Sequence, residues 1–505
     1  MSKFYITTPL YYVNSSPHIG HAYTNIIGDC VARFKRLKNE EVFFLTGTDE
    51  HGEKIKLTAD ECNEDTLYFI DRVVNSFKEL WNKLNISYDF FIRTTQDFHI
   101  RVVQEVIRYL FEQEDIYKSN YQGFYCIPCE SLWTEAQLDN GLCPECKRKV
   151  EEIVEENYFF RLSKYQDWLK RYLKDNPNFI KPKIRYNEVL GFLENNDLDD
   201  LCVSRPKKRV SWGIDFPIDD NFVVYVWFDA LINYISGIGF NQDKDKFNKW
   251  WPADIHLIGK DILRQHAIFW PIMLKALNLQ PPAMIFAHGW WKVGEEKMSK
   301  SRGNIVNPEE LIKTIGADGL RYFLLREIPL GMDGNFSWLA IKNRFNSDLA
   351  NDLGNLVYRT LSMVEKYFEC FISGNFEKIP DSFKECLDNL QKNYVPLMES
   401  LDFSSVLEEI WQLVNTMNKF IEDTKPWLLW KENKVEDLKW FLFSLLEGIR
   451  IMSIYIYPFM PQTSIEIMNQ LGRDDKEITL KKAIWQKGSF KITKGKPLFS
   501  RIDAD

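Results

Sequence analysis

The feature that most constrains this fold is a βαβ pattern at the start of the chain. Residues 4–8 (FYITT) are β-rich, apolar residues recur at helical spacing from Ala22 to Leu37, and residues 42–47 (VFFLTG) are continuously apolar. A continuous apolar run between helices is typical of a strand that is buried on both faces of a parallel sheet. The pattern therefore predicts a parallel sheet with a right-handed crossover.

A second α/β stretch lies far downstream. Residues 255–259 (IHLIG) and 284–289 (MIFAHG) are typical of strands, and residues 261–279 between them are typical of a helix. The intervening segment, roughly 115–225, shows little α/β alternation. We therefore expect one nucleotide-type sheet that is split by an insertion.

Beyond about residue 340 the pattern becomes helical. Amphipathic helices are predicted around 343–370, 383–400, 403–422 and 435–456, which together indicate a helical bundle. The apolar run 441–460 carries Glu447 and Arg450, so it is interpreted as a buried bundle helix rather than a membrane span. The sequence also indicates a capping box with proline at the first helical position, Asn307–Glu310, where a helix should begin.

The predicted fold class is α/β: a Rossmann-like parallel sheet that is split by an insertion with two C-x-x-C pairs, the pattern of a zinc knuckle, and followed by an all-α helical bundle domain. The expected domains are the first half of a nucleotide-binding catalytic domain (1–114), a connective insertion with the knuckle (115–225), the second half of the catalytic domain (226–325), a linker (326–342) and the helical domain (343–505).

Composition places the chain among ordinary globular proteins. Hydrophobic residues make up 45%, charged residues 27%, and the net charge is −8, so there is no global basic signature. The N-terminus lacks the apolar run of a signal peptide, and nine cysteines in such a chain favour a reduced environment. We expect a cytoplasmic protein with no membrane partner, and a monomer because no dimerisation domain is appended after the bundle.

Two histidines stand three residues apart in the segment PHIGH, His18 and His21, between the first strand and the first helix. At that point of a parallel sheet, ligands bind outside the strand ends and the helix N-terminus offers free N–H groups to an anion. Gly20 would let a phosphate or a flat group approach the main chain. Neither a G-x-G-x-x-G dinucleotide motif nor a P-loop is present, and a polar helix start remains an alternative.

A second charged motif, GEEKMSKSRGN, spans residues 294–304 just after the last sheet strand. It places Lys297, Lys300 and Arg302 in a loop with glycines on both sides. By composition a solvated loop is the ordinary interpretation. Ammonium groups on a glycine-flanked loop also suit a reaction in which negative charge builds on a transferring phosphoryl group.

The insertion contains two C-x-x-C pairs that are separated by thirteen residues. Four thiolates at that spacing predict one tetrahedral zinc ion with no open position, hence a structural site, although a redox pair stays possible. The candidate ligands are Cys126, Cys129, Cys143 and Cys146.

The histidine motif followed by KMSKS, in sheet halves split by an insertion, resembles the class I aminoacyl-tRNA synthetases. Among these the chain is most similar to the methionyl-tRNA synthetase family of the bacterial type with one zinc knuckle, on the segments TPLYYVNSSPHIGHAYTN, FLTGTDEHG, YVWFDALINY, IGKDILRQHAIFWP, KMSKSRGN and KPW. The resemblance implies ATP-dependent ligation of L-methionine to the 2′-hydroxyl of the terminal adenosine of tRNA(Met), through methionyl-adenylate, with release of pyrophosphate and AMP.

The resemblance also implies roles for individual residues. The catalytic residues would be His18, His21, Lys297 and Lys300. ATP, with Mg²⁺, would be bound by His18, Gly20, His21, Gly289, Trp290, Lys297 and Lys300. The methionine side chain would contact Leu10, Tyr12, Trp227, Ala230, Tyr234, Ile262 and His266, with Trp227 expected in a buried strand, and its ammonium would meet Asp49. An unbranched thioether suits such aromatic and aliphatic walls.

The helical domain would read the CAU anticodon of the tRNA, while the acceptor end enters the catalytic domain. Asn355 and Arg359 are four residues apart, so they share a helix face. Trp427 follows Pro426 at a predicted helix start and would stack on a splayed base.

Three alternatives stay open from the sequence. Another class I synthetase is one, although a cysteine-specific enzyme would place metal ligands in the amino-acid pocket. A small-molecule adenylyltransferase of the same superfamily would not need the helical domain. A non-catalytic RNA-binding relative would not need both intact motifs.

Overall fold

The structure, a computed structural model, describes residues 2–127, 131–133, 135–144, 146–293, 296–297, 306–374, 376–474, 476 and 478–502. Of residues 131, 132, 136, 293, 296 and 297 it describes the main chain alone. Two predicted site residues, Cys129 and Lys300, lie outside the described residues, as does Arg302.

The chain begins with alternating strands and helices, as the apolar pattern predicts. The elements are β1 (Lys3–Tyr12), α1 (Ile19–Leu37), β2 (Glu41–Asp49), α2 (Glu53–Glu61), α3 (Thr66–Lys83), β3 (Phe90–Arg93) and α4 (Asp97–Glu112).

Within the described residues, the middle of the chain carries two long strands, five short strands and two helices. The elements are β4 (Ile116–Cys126), β5 (Ser131–Trp133), β6 (Glu151–Phe160), α5 (Gln166–Asp175), β7 (Ile180–Lys181), α6 (Lys183–Asn195), β8 (Leu201–Cys202), β9 (Ser204–Pro206) and β10 (Phe222–Val224). An antiparallel sheet in the order β5-β4-β6-β8 forms the body of the insertion.

The chain then returns to α/β alternation. The elements are α7 (Val226–Ser236), α8 (Lys244–Trp250), β11 (Ile255–Gly259), a π-helical turn (Gln265–Phe269), α9 (Trp270–Ala276), β12 (Ile285–His288), β13 (Trp291–Val293), β14 (Glu296–Lys297) and α10 (Pro308–Arg326). Helix α10 begins where the capping box predicts, since the Asn307 side chain accepts from the Glu309 N–H. It bends at Gly316, whose positive φ of 72° favours glycine.

The last third is mainly helical. The elements are β15 (Gly334–Asn335), α11 (Trp338–Arg344), a π-helical segment (Phe345–Gly354), α12 (Asn355–Phe368), β16 (Phe371–Gly374), α13 (Asp381–Glu399), α14 (Phe403–Thr424), α15 (Pro426–Lys431), α16 (Val435–Ile456), α17 (Pro461–Gln470) and β17 (Gly488–Lys491).

The central sheet is parallel, with the order β3-β2-β1-β11-β12-β7. Strands from both halves of the sequence therefore meet at the β1–β11 pair, which is the point where the strand order reverses. This confirms the predicted sheet split by an insertion. Strand β7 lies within residues 115–225, yet it pairs with β12 in the central sheet.

One apolar core runs from a face of this sheet into the helical domain. It joins Ile6 of β1 and Ile27 of α1 to Leu320 of α10, Leu413 of α14 and Leu446 of α16, all of them fully buried. The charged pair on α16, Glu447 and Arg450, is buried too and joined at 2.6 Å. The opposite face of the sheet packs against α4, α7 and α9.

A buried ion network reinforces the junction between the two domains. Asp29 of α1 accepts from Arg33 and pairs with Arg321 of α10, each at 2.7 Å. Arg321 also donates to the main-chain carbonyls of Pro458 and Phe459, which connect α16 to α17. No helix among the described residues combines the length and the apolar character needed to cross a membrane.

Candidate active site

The first helix starts at the carboxyl edge of the sheet with a histidine as its cap. His18 Nδ1 accepts from the Gly20 N–H at 3.0 Å, and the His18 N–H donates to His21 Nδ1 at 3.3 Å. The two imidazole rings stack with centroids 3.8 Å apart. Because both Nδ1 atoms accept, each neutral ring carries its proton on Nε2, an atom that can donate to an anion. The structure thus brings His18 and His21 together.

Glycine is required between these histidines. A Cβ at Gly20 would lie 2.8 Å from His18 Cε1, a distance that would force the capping ring to move. Besides the approach of a ligand that the sequence predicts, the absence of a side chain at Gly20 therefore keeps the His18 ring in its capping position.

The end of β12 lies directly against α1. Thr24 Oγ1 is 2.8 Å from His288 Nε2, and His288 Nδ1 donates to the Gly289 carbonyl at 2.7 Å. Burial lowers the pKa of His288, so its ring is neutral at pH 7 and Nε2 accepts from the threonine hydroxyl. A Cβ at Gly289 would lie 2.1 Å from the Met332 carbonyl oxygen, so no side chain fits there.

A charged cluster that the sequence analysis missed follows Gly289. Asp333 pairs with Lys260 at 2.7 Å and with Lys292 at 2.8 Å, and it accepts from the Trp290 main-chain N–H at 2.9 Å. Burial alone would raise the pKa of Asp333, but the hydrogen bonds from Lys260 and Lys292 hold this pKa well below its ordinary value. Lys260 Nζ also lies 4.1 Å from the Trp290 ring centroid. The sequence signal that could have indicated this cluster is Lys260, which directly follows strand β11.

The main chain of the lysine motif is near this cluster. Strand β14 pairs antiparallel with β13, which places Lys297 opposite Lys292. Strand β13 starts two residues after Gly289, so this hairpin continues from the sheet edge where α1 begins. The Lys297 side chain and all of Lys300 lie beyond what the structure describes.

The residues predicted to form the methionine pocket lie on three parts of the fold, which we call its three walls. Leu10 and Tyr12 of β1 lie in register with Gly47 and Asp49 of β2, after a bulge in β1. This register places Tyr12 and Asp49 opposite each other at the carboxyl ends of neighbouring strands.

The second wall is helix α7, where the expectation for Trp227 is wrong. Trp227 lies in the first turn of α7, not in a strand. Trp227, Ala230 and Tyr234 are spaced three and four residues apart, so they share one helix face. Trp227 is half-buried between fully buried neighbours, which fits a face that is partly open.

The third wall is the segment that follows β11 and contains Ile262 and His266. A hydrogen bond connects it to helix α7. His266 Nε2 lies 2.7 Å from the Tyr234 hydroxyl, and His266 Nδ1 donates to the Ile262 carbonyl at 2.9 Å. Burial lowers the pKa of His266 to about 4 and raises the pKa of Tyr234 above its ordinary range. At pH 7 the histidine is therefore neutral, and Nε2 accepts from the tyrosine.

Three of the predicted cysteine ligands converge. The Sγ atoms of Cys126, Cys143 and Cys146 all lie within 4.8 Å of one another, and those of Cys126 and Cys146 are 3.5 Å apart. Thiolates at two corners of a tetrahedral zinc site are about 3.8 Å apart, given the usual Zn–S length. These thiols could thus hold one metal ion.

The predicted anticodon residues lie on neighbouring helices. Asn355 is exposed at the start of α12, with Arg359 one turn further on. Trp427, at the start of α15, is 45% exposed. Helix α15 lies next to α12, since the rings of Trp430 and Tyr367 are 5.0 Å apart.

A chain with this doubly wound sheet, this capping pair of histidines and this β13–β14 hairpin matches the class I aminoacyl-tRNA synthetases. Residues 4–152 and 149–361 match the family profile of tRNA synthetases class I (M), and residues 383–500 match the anticodon-binding domain of tRNA ligase. The chain belongs to the methionyl-tRNA synthetase family.

Similar proteins cover almost the whole chain. It is 48% identical to the methionine–tRNA ligase of Caldanaerobacter subterraneus subsp. tengcongensis, over 99% of this chain and 79% of the relative. It is 45% identical to that of Thermotoga maritima, over 99% of this chain and 81% of the relative. The structure of Mycobacterium tuberculosis methionyl-tRNA synthetase with methionyl-adenylate superposes with a TM-score of 0.94 at 38% identity, covering 99% of this chain and 100% of that one.

Proposed function

We propose that this chain carries out methionine activation and tRNA charging, the activity of its family, in the cleft where α1 begins. The observation that carries the proposal is the stacked pair His18 and His21. This pair caps α1 at the point where the strand order of the central sheet reverses. A helix N-terminus attracts anions, and two imidazole donors add to that attraction.

In the first step a carboxylate oxygen of methionine attacks the α-phosphorus of ATP. The bond from that phosphorus to the bridging oxygen breaks, and pyrophosphate leaves. His18 and His21 donate from Nε2 to phosphate oxygens, while Gly20 lets the phosphates approach the main chain. Lys297 and Lys300 bind the leaving pyrophosphate, and Gly289 and Trp290 border the adenosine. Catalysis is thus mostly placement and electrostatics, and Mg²⁺ carried by ATP supplies further positive charge.

In the second step the 2′-hydroxyl of the terminal adenosine of tRNA(Met) attacks the carbonyl carbon of the adenylate, and AMP leaves. Asp49 holds the methionine ammonium during both steps. The side chain is held among apolar and aromatic groups, with sulfur near the Tyr234 hydroxyl or ring edges. The proposed pocket consists of Leu10, Tyr12, Trp227, Ala230, Tyr234, Ile262 and His266.

The decisive experiment is exchange of labelled pyrophosphate into ATP without tRNA, run with each amino acid in turn. Methionine should give the strong signal. A signal with another amino acid would indicate a different class I synthetase, and a signal with a non-amino-acid carboxylate would indicate a small-molecule adenylyltransferase.

A variant of the capping histidine tests the assigned role. Asparagine is a good helix cap, so His18→Asn should keep α1 intact while removing the imidazole donor. We expect exchange to fall about 10²- to 10³-fold, as when one transition-state donor is lost. An unchanged rate with an unchanged melting temperature would refute the role of His18.

The metal is proposed to be one structural zinc ion, held by Cys126, Cys129, Cys143 and Cys146. Convergence of three thiols in the described part of the insertion supports it. A four-cysteine set leaves no position for substrate, so the metal would stabilise the knuckle and take no part in either chemical step.

The helical domain is proposed to bind the CAU anticodon through Asn355, Arg359 and Trp427. Trp427→Ala should spare exchange and reduce kcat/KM for tRNA charging, because base stacking is typically worth ~1–3 kcal/mol. Trp430→Ala is a matched control, since Trp430 is on the same helix and equally exposed. Equal loss in both variants would contradict a specific role for Trp427.

The proposal also includes a cytoplasmic location and a monomeric state. Reduced cysteines in the described residues support the first. Sedimentation equilibrium at micromolar concentration tests the second, and a dimer mass would contradict it.

A further inference from the structure

A buried carboxylate joins two histidines beside the proposed methionine pocket. Asp229 of α7 is fully buried. Its Oδ2 atom lies 2.7 Å from His51 Nδ1, and its Oδ1 atom lies 2.7 Å from His99 Nε2. The other nitrogen of His99, Nδ1, is 2.7 Å from the Ser236 hydroxyl. Neither mechanistic step described above uses this cluster.

The chemistry of the cluster fixes the orientation of both rings. An ionised carboxylate only accepts hydrogen bonds, so His51 must donate from Nδ1 and His99 from Nε2. Burial alone would raise the pKa of Asp229, but His51 and His99 hold it below its ordinary value. Hydrogen bonds to a buried charge are among the strong ones, so these two bonds hold the three elements that carry the side chains.

Two of those elements border the proposed pocket. His51 is two residues after Asp49, which is proposed to bind the methionine ammonium. Asp229 lies between Trp227 and Ala230 on α7, and His99 lies on α4, which packs behind α7.

The loop that contains His51 is fixed from its other side too. The Trp212 indole N–H donates to the Glu50 carbonyl at 2.6 Å, and the Glu50 carboxylate pairs with Arg93 at 2.7 Å. These contacts hold the loop to the insertion and to β3, whereas the Asp229–His51 bond connects it to the helix that contacts the methionine side chain.

We propose that Asp229 is a positioning residue for methionine, which sets the distance between the ammonium site at Asp49 and the side-chain wall on α7. The proposal rests on the proposed function, because it takes the pocket from there. A substrate held at both ends loses affinity when the two sites drift apart, and a misplacement of about 1 Å costs as much as ~100-fold. The residues proposed to bind ATP are not part of this network, so we expect ATP binding to be unaffected.

The main test is Asp229→Asn in methionine-dependent pyrophosphate exchange. The amide oxygen accepts from one histidine only, and the amide N–H₂ faces the other ring's N–H. We expect KM for methionine to rise ~10-fold or more, with KM for ATP within about twofold of wild type. Asp115→Asn is the matched control, because Asp115 is a buried carboxylate, bonded to Lys164 and Tyr165, away from the pocket.

A second pair of variants decides the matter if Asp229→Asn does not fold. Glutamine places an amide N–H where His99 has Nε2–H, whereas leucine has no donor there. His99→Gln should therefore keep KM for methionine near wild type, and His99→Leu should raise it ~10-fold with little change in KM for ATP. Combining His99→Leu with Asp229→Asn should add little to either change, because both act on one network.

Three results would overturn the proposal. One is a lowered melting temperature with an unchanged KM for methionine in Asp229→Asn, which would make the cluster merely structural. Another is an equal rise in KM for methionine and for ATP. The third is an equal effect of glutamine and leucine at His99. Failure of the proposed function itself is distinguishable, since wild-type protein would then show no methionine-dependent exchange.

Discussion

Acidification from pH 7 to pH 5 should weaken the fold through His266. This side chain is 2% exposed, and its pKa is lowered by burial from 6.5 to about 4. As the pH falls below 6.5, His266 becomes protonated in the unfolded chain, whereas in the folded chain it stays neutral until about pH 4. The free energy of unfolding therefore decreases over that pH range. The loss from this group reaches about 2 kcal/mol at pH 5 and about 3.4 kcal/mol below pH 4.

The measurement compares urea unfolding of wild type and His266→Gln at pH 7, 6 and 5, followed by circular dichroism. Glutamine keeps an acceptor for the Tyr234 hydroxyl but does not titrate. A buried histidine whose pKa does not depend on His266, such as His288, contributes equally to both proteins and cancels in the difference. The variant should therefore gain about 2 kcal/mol relative to wild type between pH 7 and pH 5. Parallel pH dependences in the two proteins would refute the reasoning.

Other consequences follow from particular contacts. Asp29→Asn should lower the free energy of unfolding by ~3–5 kcal/mol, measured by urea titration, because it leaves buried Arg321 without its counter-ion. Cys143→Ser should release zinc, measured by mass spectrometry of bound metal, whereas Cys202→Ser, at a buried cysteine outside the cluster, should not. Gly289→Ala should reduce kcat/KM for ATP ~10-fold in pyrophosphate exchange, because its Cβ would press on a main-chain carbonyl. Homocysteine should be activated detectably in the same assay, since one missing methylene is worth only ~1–3 kcal/mol in an apolar pocket.

Elements with a strong apolar pattern could be predicted from the sequence. Strand β11 occupies the predicted residues 255–259, and α1 extends the predicted helix by three residues at its start. Strand β7 could not be predicted, because two residues are too few to show a periodic pattern. They form a strand only because they pair with β12.

Two predictions failed where tertiary structure overrode the local pattern. The helix predicted over 261–279 is interrupted by a π-helical turn around His266, where the ring bonds to Ile262 and to Tyr234. The run FVVYVW, residues 222–227, has the composition of a strand, yet β10 stops at Val224 and α7 begins two residues later. Apolar aromatic runs of this length fit either structure.

Site residues could be predicted where they are close in sequence. His18 and His21 form their pair within one helical turn. By contrast, His51, His99 and Asp229 come from separate parts of the chain, as do Lys260, Lys292 and Asp333. Tertiary contacts bring these groups together, the first where α4 packs against α7 and the second where β13 pairs with β15, and no local pattern encodes such contacts.

The unbroken apolar interior from Ile6 to Leu446 limits how this enzyme can be dissected. A fragment that ends near the start of α11 would expose the apolar faces of α1 and α10 to solvent. The separated bundle would expose the apolar faces that pack against them. The helical domain and the sheet therefore share one core, and we expect studies of either part to require point variants in the intact chain.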